Sequence, residues 1–270
     1  MRNRLNPGIY DNISNDEYHK LEGISNSGIS LILDCPARYY YEKLSGLCNK
    51  EKSNELLIGS AIDSRVFEPN LFTKQYTFLP DDFKIKSGKK FEEYEKNENR
   101  YIFSRKDYKK ILDITDAINN TNIFKNFKNT GKSQQTLIWE DENGVTLRSR
   151  PDWMNDDFIV DLKTTRSANP KFFSRSIEEY NYHTQAFMQL EGAYKLDGKK
   201  RTHILLAIEK EEPYICEQFI LNNDSLEKGR ENCLRGAFIY QQCLENAYWP
   251  SYGNGESIEI SINNFLLKQG

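Results

Sequence analysis

Apolar positions recur every three to four residues in the N-terminal part of the chain, and at strand-like spacing in the middle. ISNSGISLILDCPARYYYEKLSGL (24–47) predicts a helix interrupted near Pro36 and closed around Gly46. ELLIGSAIDSRVFEP (55–69) predicts a second, largely buried helix ended by Pro69. SRKDYKKILDITDAINNT predicts a third, with Ser104 as its cap. Between the last two, from Asp81 to about Arg105, the chain is charged and poor in aliphatics, which predicts a mobile surface excursion. The period then changes. QQTLIWE predicts a strand, DENG a hairpin turn, VTLRSRPDW a second strand, MNDD another turn and FIVDLKTT a third strand. Asn169 and Pro170 open a helix that runs to about Leu196, with a break near Asn181 and a stop at Asp197-Gly198. RTHILLAIEK and PYICEQFI form a further strand pair, and NDSLEKGRENCLRGAFIYQQCLENA a long amphipathic helix. The pattern reads as an α/β fold with a mixed central β-sheet flanked by helices. No repeat or linker divides it, so one domain is expected over 1–270: a helical part to about 130, a core over about 131–252 and a tail over 253–270.

Composition adds limits. A chain of 270 residues can bury a sizeable core without staples. The net charge of −3 argues against a broadly basic nucleic-acid coat, while leaving room for a local basic groove. The cysteines, Cys35, Cys48, Cys216, Cys233 and Cys243, form no C-x-x-C pair and fit reduced thiols. The N-terminus shows no signal-peptide pattern, and no run approaches the roughly 20 apolar residues of a membrane span. A cytoplasmic location without membrane attachment is expected.

RPDWMNDDFIVDLKTT (150–165) is where chemistry enters. Strand side chains alternate, so Asp161 and Lys163 share a face, while Ile159 and Val160 anchor the strand in the core. The short turn returns the chain beside itself and brings Asp152 near Asp161. Pro151 cannot donate to a ladder and marks an edge or a bend there. Two close carboxylates repel unless a cation or a proton neutralises them. Oxygen ligands suit Mg²⁺, and a neighbouring lysine can hold the attacking water or stabilise charge on a phosphate. Asp-x-Lys by itself is commonly a solvated strand face. The preceding Pro-Asp, the hairpin spacing and the apolar FIV raise it above that.

RPDW…FIVDLKTT resembles the PD-(D/E)xK nuclease signature in its D-x-K form, and most closely the exonuclease VIII (RecE-type) nuclease domain family. YDNISNDEYHKLEGISNSGISLILDCPARYYYEKL, LLIGSAIDSRVFEP, RSRPDW, YNYHTQAFMQLEG and WPSY resemble the same branch in matching order, from about Gly8 to Tyr252. The resemblance implies a restriction-endonuclease-like core. It implies metal ligation by Asp152, Asp161 and the backbone carbonyl of Leu162, a catalytic Lys163, and a supporting Gln185 with Tyr182 one turn before it. It further implies Mg²⁺ (or Mn²⁺) and a 5′→3′ exodeoxyribonuclease acting on linear double-stranded DNA ends. The 3′ single-stranded tails would pass to a single-strand annealing recombinase, and the protein would form a homo-oligomeric ring, in a bacterial or phage-infected cell. Alternatives are an endonuclease or single-strand nuclease on the same fold, or a non-catalytic DNA-binding or interaction protein.

The chain departs from that pattern in places. Asp63 stands where relatives often carry a histidine, and reads either as a further metal ligand or as a helix-turn cap. Gln134 or Gln135, with Glu140 further along, stands where many relatives have a glutamate. Gln189 replaces a tyrosine. Cys35-Pro36 is similar to helicase-associated nucleases that hold an iron–sulfur cluster, but Cys233 and Cys243 lack the required spacing, so no cluster is expected and Cys35 reads as buried. Arg148 and Arg150 share the strand parity of Asp152 and read as phosphate contacts or as structural partners. Arg166 is another DNA candidate, as are Lys84, Lys86, Lys89 and Lys90 in the charged excursion. Of Tyr39, Tyr40 and Tyr41, at least one is expected in the core.

Overall fold

The computed structural model describes residues 4–49, 53–127 and 130–261; residues 262–270 of the expected tail lie outside them. The N-terminal part comprises β1 (Gly8–Tyr10), α1 (Asn15–Lys20), α2 (Asn26–Asp34) and α3 (Pro36–Tyr39), the last running into a π-helical turn, Tyr40–Leu44. There follow α4 (Asn54–Phe67), α5 (Pro69–Gln75), β2 (Tyr76–Phe78), α6 (Lys89–Asn97), β3 (Tyr101–Phe103), α7 (Arg105–Asn120) and α8 (Asn122–Phe127). The strands β4 (Lys132–Ser133), β5 (Thr136–Glu140), β6 (Thr146–Ser149), β7 (Trp153–Met154) and β8 (Phe158–Thr165) come next. The chain continues through α9 (Pro170–Glu179), α10 (Tyr182–Asp197), β9 (Thr202–Glu209), β10 (Cys216–Phe219) and α11 (Asn223–Glu245).

The expected boundaries have visible causes. Ser104 Oγ accepts the Asp107 N–H at 3.0 Å and starts α7. Asn169 Oδ1 accepts the Lys171 N–H at 3.0 Å, with Pro170 at the first helical position. Gly198 closes α10 in the left-handed conformation, φ +72, where a Cβ would be strained. In the DENG turn Asp141 Oδ1 accepts from Asn143 and Val145, and Gly144 carries the positive φ.

A five-stranded mixed sheet, in the order β10-β9-β8-β7-β4, lies at the centre. β8 and β9 run parallel along their whole length, from Phe158↔Thr202 to Thr165↔Glu209, while the other pairs in this sheet are antiparallel. A parallel pair needs a long crossover, and α9 with α10 supplies it. One core lies where α2, α10 and α11 pack around Trp139, Leu137 and Met188; another lies where α4 and α7 meet the sheet at Val160, Ile204 and Leu206.

Three expectations change. The second predicted strand breaks at Arg150–Asp152, so β6 pairs with β5, itself paired with β1, in a separate three-stranded sheet, while β7 joins the central one. The second helix is buried on one face only, through Ala61, Ile62, Ser64 and Val66, and Pro69 begins α5 rather than merely ending α4. The charged excursion is partly ordered: Leu79, Phe91 and Ile102 form a small core with Phe83 and Tyr94, so aromatic rings supply the burial that aliphatics do not. Lys86 and Lys90 lie over the Tyr101 and Phe83 rings, 4.9 and 5.4 Å from their centroids. Tyr39 is buried against Trp249 and Tyr240, whereas Tyr40 and Tyr41 are exposed.

Helix α11 fixes the position of α10 through Gly229. A Cβ at that position would stand 2.3 Å from the carbonyl oxygen of His183 on α10. Gly229→Ala is therefore expected to push the two helices apart and to destabilise the protein by roughly 1–3 kcal/mol, read as a lower melting temperature by circular dichroism. An unchanged melting temperature would show that the helices separate without cost.

Candidate active site

β7 and β8 pair only at Trp153↔Val160 and Met154↔Ile159. Pro151, just upstream, has no N–H for the ladder, and the chain turns away there. Beyond the last pair the β7-side edge of β8 is open. Asp152 fills it: its Oδ2 accepts the Leu162 N–H at 2.7 Å, and the side chain stands beside Asp161. The Leu162 amide thus engages the site from the open edge of β8.

Asp161 is fully buried and shares a face of β8 with Lys163, whose ammonium is ion-paired to Asp161 Oδ2. Helix α10 presents Tyr182, Gln185 and Gln189, three and four residues apart, on one side. Gln185 Oε1 accepts from Lys163 Nζ at 3.0 Å, and its Nε2 donates to Asp161 Oδ1 at 3.1 Å. Gln189 Nε2 donates to the same oxygen at 2.9 Å. The Tyr182 ring lies 4.6 Å from Lys163 Nζ, a cation–π contact. Behind them, His203 Nε2 is 2.7 Å from Gln189 Oε1. An amide oxygen can only accept, so Nε2 carries the proton. Nδ1 of His203 is buried with no hydrogen-bond partner among the described residues. Burial pushes the imidazole pKa down to about 4, so it is neutral at pH 7.

Asp63 reaches the site from α4 through Gln134, whose Nε2 donates to Asp63 Oδ2 at 3.0 Å and lies 3.5 Å from Asp152 Oδ1. Gln134 holds a left-handed backbone, φ +52, secured by its N–H on the Asp152 carbonyl at 3.1 Å. That conformation costs a non-glycine residue roughly 1–2 kcal/mol. Gln135 instead donates to Asp11, and Glu140 pairs with Arg4, so Gln134 alone of the three faces the acids. A cavity of about 380 Å³ opens onto Asp63, Gln134, Glu68 and Arg150.

Three acids from separate segments meet here, and the ionisation of Asp63 and Asp152 is suppressed. Burial, then the fields of Asp161 and Glu68, push Asp63 up to about 7. Burial, then Asp63 and Asp161, hold Asp152 well above the usual carboxylate range. For Lys163, burial works against the charged form, but the fields of Asp161 and Asp152 outweigh it and the ammonium is held above its ordinary value. Among the described residues, Asp63 Oδ1 is buried with no hydrogen-bond partner, and Asp161 Oδ2 has only the Lys163 ammonium. The donors are all carboxylate oxygens, a set that fits a hard divalent cation such as Mg²⁺ or Mn²⁺. Among the described residues no three acid, histidine or cysteine side chains stand in ready coordinating positions, because Gln134 and Lys163 lie between the carboxylates.

Two of the arginines are placed otherwise than as phosphate contacts. Arg148 is buried; its Nε donates to the Gly23 carbonyl at 3.0 Å, it also donates to the Tyr18 carbonyl, and it lies over the Tyr18 ring. Arg150 donates to Thr136 Oγ1 and to the Ile13 carbonyl, although its side chain still borders the cavity near Asp63. Both tie the N-terminal segment to the second sheet. Arg166 is exposed just past β8. Sequence reasoning misses His203 and the bridging position of Gln134; a histidine within an apolar strand and a glutamine at a strand start carry no distinguishing signal.

The family model described as a PDDEXK-like domain of unknown function (DUF3799) matches residues 25–261. Among solved structures, a "putative exonuclease" from Eubacterium rectale superposes with a TM-score of 0.68 at 17% identity, covering 97% of this chain and 100% of its own. At that identity the likeness concerns the fold. The structure of SSO0001 aligns with a TM-score of 0.29 at 15% identity, over 68% of this chain and 87% of its own, too distant to compare further. No curated protein matches the chain.

Proposed function

Since the chain belongs to the PDDEXK-like domain family DUF3799, we propose that it hydrolyses DNA phosphodiesters with a divalent cation, Mg²⁺ or Mn²⁺, as a 5′→3′ exonuclease on linear duplex ends. The observation that carries the proposal is the open edge of β8, where Asp152 and Asp161 stand together with the Lys163 ammonium clamped between Asp161, Gln185 and Tyr182. Asp152 and Asp161, with Asp63 beside them, would hold the cation, which polarises the phosphate and lowers the pKa of water when bound.

The chain's own groups do the rest. Hydrolysis forms a bond from water oxygen to phosphorus and breaks the bond to the 3′ oxygen, leaving a 5′-phosphate. Negative charge builds on the phosphate oxygens, and Lys163 Nζ, kept cationic by its two acids, is suited to donate to them rather than to take a proton from water. Gln185 holds Lys163 and Asp161 in register by bonding both. Gln189, locked by neutral His203, donates to the same Asp161 oxygen as Gln185 and so helps to fix the carboxylate. The exonuclease polarity, the delivery of 3′ tails to an annealing recombinase, a ring-shaped homo-oligomer and a cytoplasmic setting belong to the same proposal and are supported by the resemblance in sequence. Among the described residues no helix is long and apolar enough to cross a membrane.

The test is nucleotide release from linear and from covalently closed duplex DNA of one sequence, with Mg²⁺, with Mn²⁺ and with chelator. Metal-dependent loss of the linear form alone is expected. Attack on the closed circle would identify an endonuclease, and binding without turnover under any metal would identify a DNA-binding protein on a nuclease scaffold.

A further inference from the structure

A second cavity, of about 470 Å³, lies between the end of β8, helix α9 and Lys210 beyond β9. Tyr182 belongs to both places: its ring packs on Lys163 Nζ and also lines this cavity. Arg166, Arg175 and Lys210 line the same space, and none of them forms an ion pair among the described residues. Glu179 is the one acid in the lining. In a chain of net charge −3, three cations against one acid make a local surplus of positive charge.

The aromatic content of the cavity is equally unspent. Phe172 is 51% exposed and Tyr180 55% exposed, although each is large enough to be buried. Tyr180 and Tyr182 have ring centroids 5.7 Å apart at 32°, forming a short tilted tier that leads from the surface towards Lys163. Arg175 sits 5.8 Å from the Phe172 ring, so cation and aromatic face are presented side by side. Cations spaced among exposed aromatic faces are the recognition chemistry of a nucleic-acid strand with unpaired bases: phosphates meet the cations and bases stack on the rings. A duplex keeps its base faces covered by stacking and could use only the charges.

We infer that this cavity cradles a single DNA strand next to the scissile phosphate, with Arg166, Arg175 and Lys210 on the backbone and Tyr180 and Phe172 under the bases. The inference rests on the nuclease reading for the identity of the strand, and its test is separable from that reading. Binding of a fluorescein-labelled oligothymidylate of about 20 nucleotides would be followed by anisotropy in chelator over a range of salt. For the Arg166→Ala/Arg175→Ala/Lys210→Ala protein, affinity is expected to fall at least tenfold. The slope of log K against log salt should become shallower by about 2, near 0.7 for each of three lost phosphate contacts. Tyr180→Ala is expected to weaken single-strand binding roughly tenfold with the slope unchanged, Tyr180→Trp to retain it, and a blunt duplex to be indifferent to both. All of these side chains lie at the surface or on its edge, and melting curves are the control that the variants are folded.

A wild-type protein that does not bind the oligonucleotide overturns the inference, as does a triple variant with wild-type affinity and slope. Loss on the triple variant with no effect at Tyr180 also overturns it, because charge alone makes no single-strand cradle. Cleavage of linear duplex DNA by the wild type is assayed in parallel. Cleavage with unaltered variant binding removes the cradle and leaves the nuclease; the expected binding pattern without cleavage does the reverse.

Discussion

Replacing Lys163 by alanine is expected to lower metal-dependent nucleotide release from linear duplex DNA by at least about 10²–10³-fold, the usual loss when one preorganised donor to a developing oxyanion is removed. The loss should fall on turnover at saturating DNA, because the ammonium is enclosed by Asp161, Gln185 and Tyr182 and is not part of an exposed binding surface. A second consequence separates this from simple damage. Among the described residues the ammonium is the only partner of the buried Asp161 Oδ2, and stripping one partner from a buried pair typically costs about 3–5 kcal/mol. Lys163→Ala should therefore melt earlier than wild type in chelator, and gain more from added Mg²⁺ or Mn²⁺, since a cation relieves the same uncompensated charge. Wild-type digestion by a folded Lys163→Ala protein would remove this lysine from the chemistry.

In chelator, thermal stability is expected to decline as pH rises from about 4 to about 7. Asp63 has an ordinary pKa of 3.8 and is held at about 7 in the folded protein, first by burial and then by Asp161 and Glu68. Between those values the folded protein keeps a proton that the unfolded chain has released, so raising the pH favours unfolding. Asp152, raised for the same reasons, acts in the same direction. The displacement at Asp63 sets a ceiling of about 4 kcal/mol on its contribution. Glu98, lowered to about 2 chiefly by its hydrogen bond from Arg100, acts oppositely, but its window closes near the ordinary carboxylate pKa. Asp63→Asn is thus expected to be more stable than wild type in chelator at pH 8, and to be less stabilised by a divalent cation. A variant that is less stable than wild type under those conditions would show that the Asp63 carboxylate is not held against its charge.

The D-x-K strand was legible because alternation, a short turn and an apolar anchor coincide over FIVDLKTT, and β8 spans that very stretch. The helix boundaries were legible where a capping side chain does the work, as at Ser104 and Asn169. Long-range geometry was not. Arg148 has the strand parity of Asp152, but parity does not say which sheet a strand joins, and β6 leaves with β5. The left-handed turn at Gln134 has no local signature, since glutamine rarely adopts it. His203 looks like one polar position in an apolar strand until α10 places Gln189 across from it. The aromatic residues of the 81–105 segment read as isolated hydrophobes among charges, and only their mutual packing makes a core of them.

The site is assembled from segments far apart in the chain: Asp63, Gln134, Asp152 with Asp161 and Lys163, then Gln185 and Gln189, then His203. During synthesis the ribosome delivers Asp161 and Lys163 before the α10 glutamines that hold them. A nascent chain ending just after Thr165 would carry both aspartates of the hairpin with no α10 to bond them, no β9 to pair with β8, and no α11 to fix α10 at Gly229. On the proposed activity, the constellation around Asp161 and Lys163 is therefore completed only after α10 and β9 have been made.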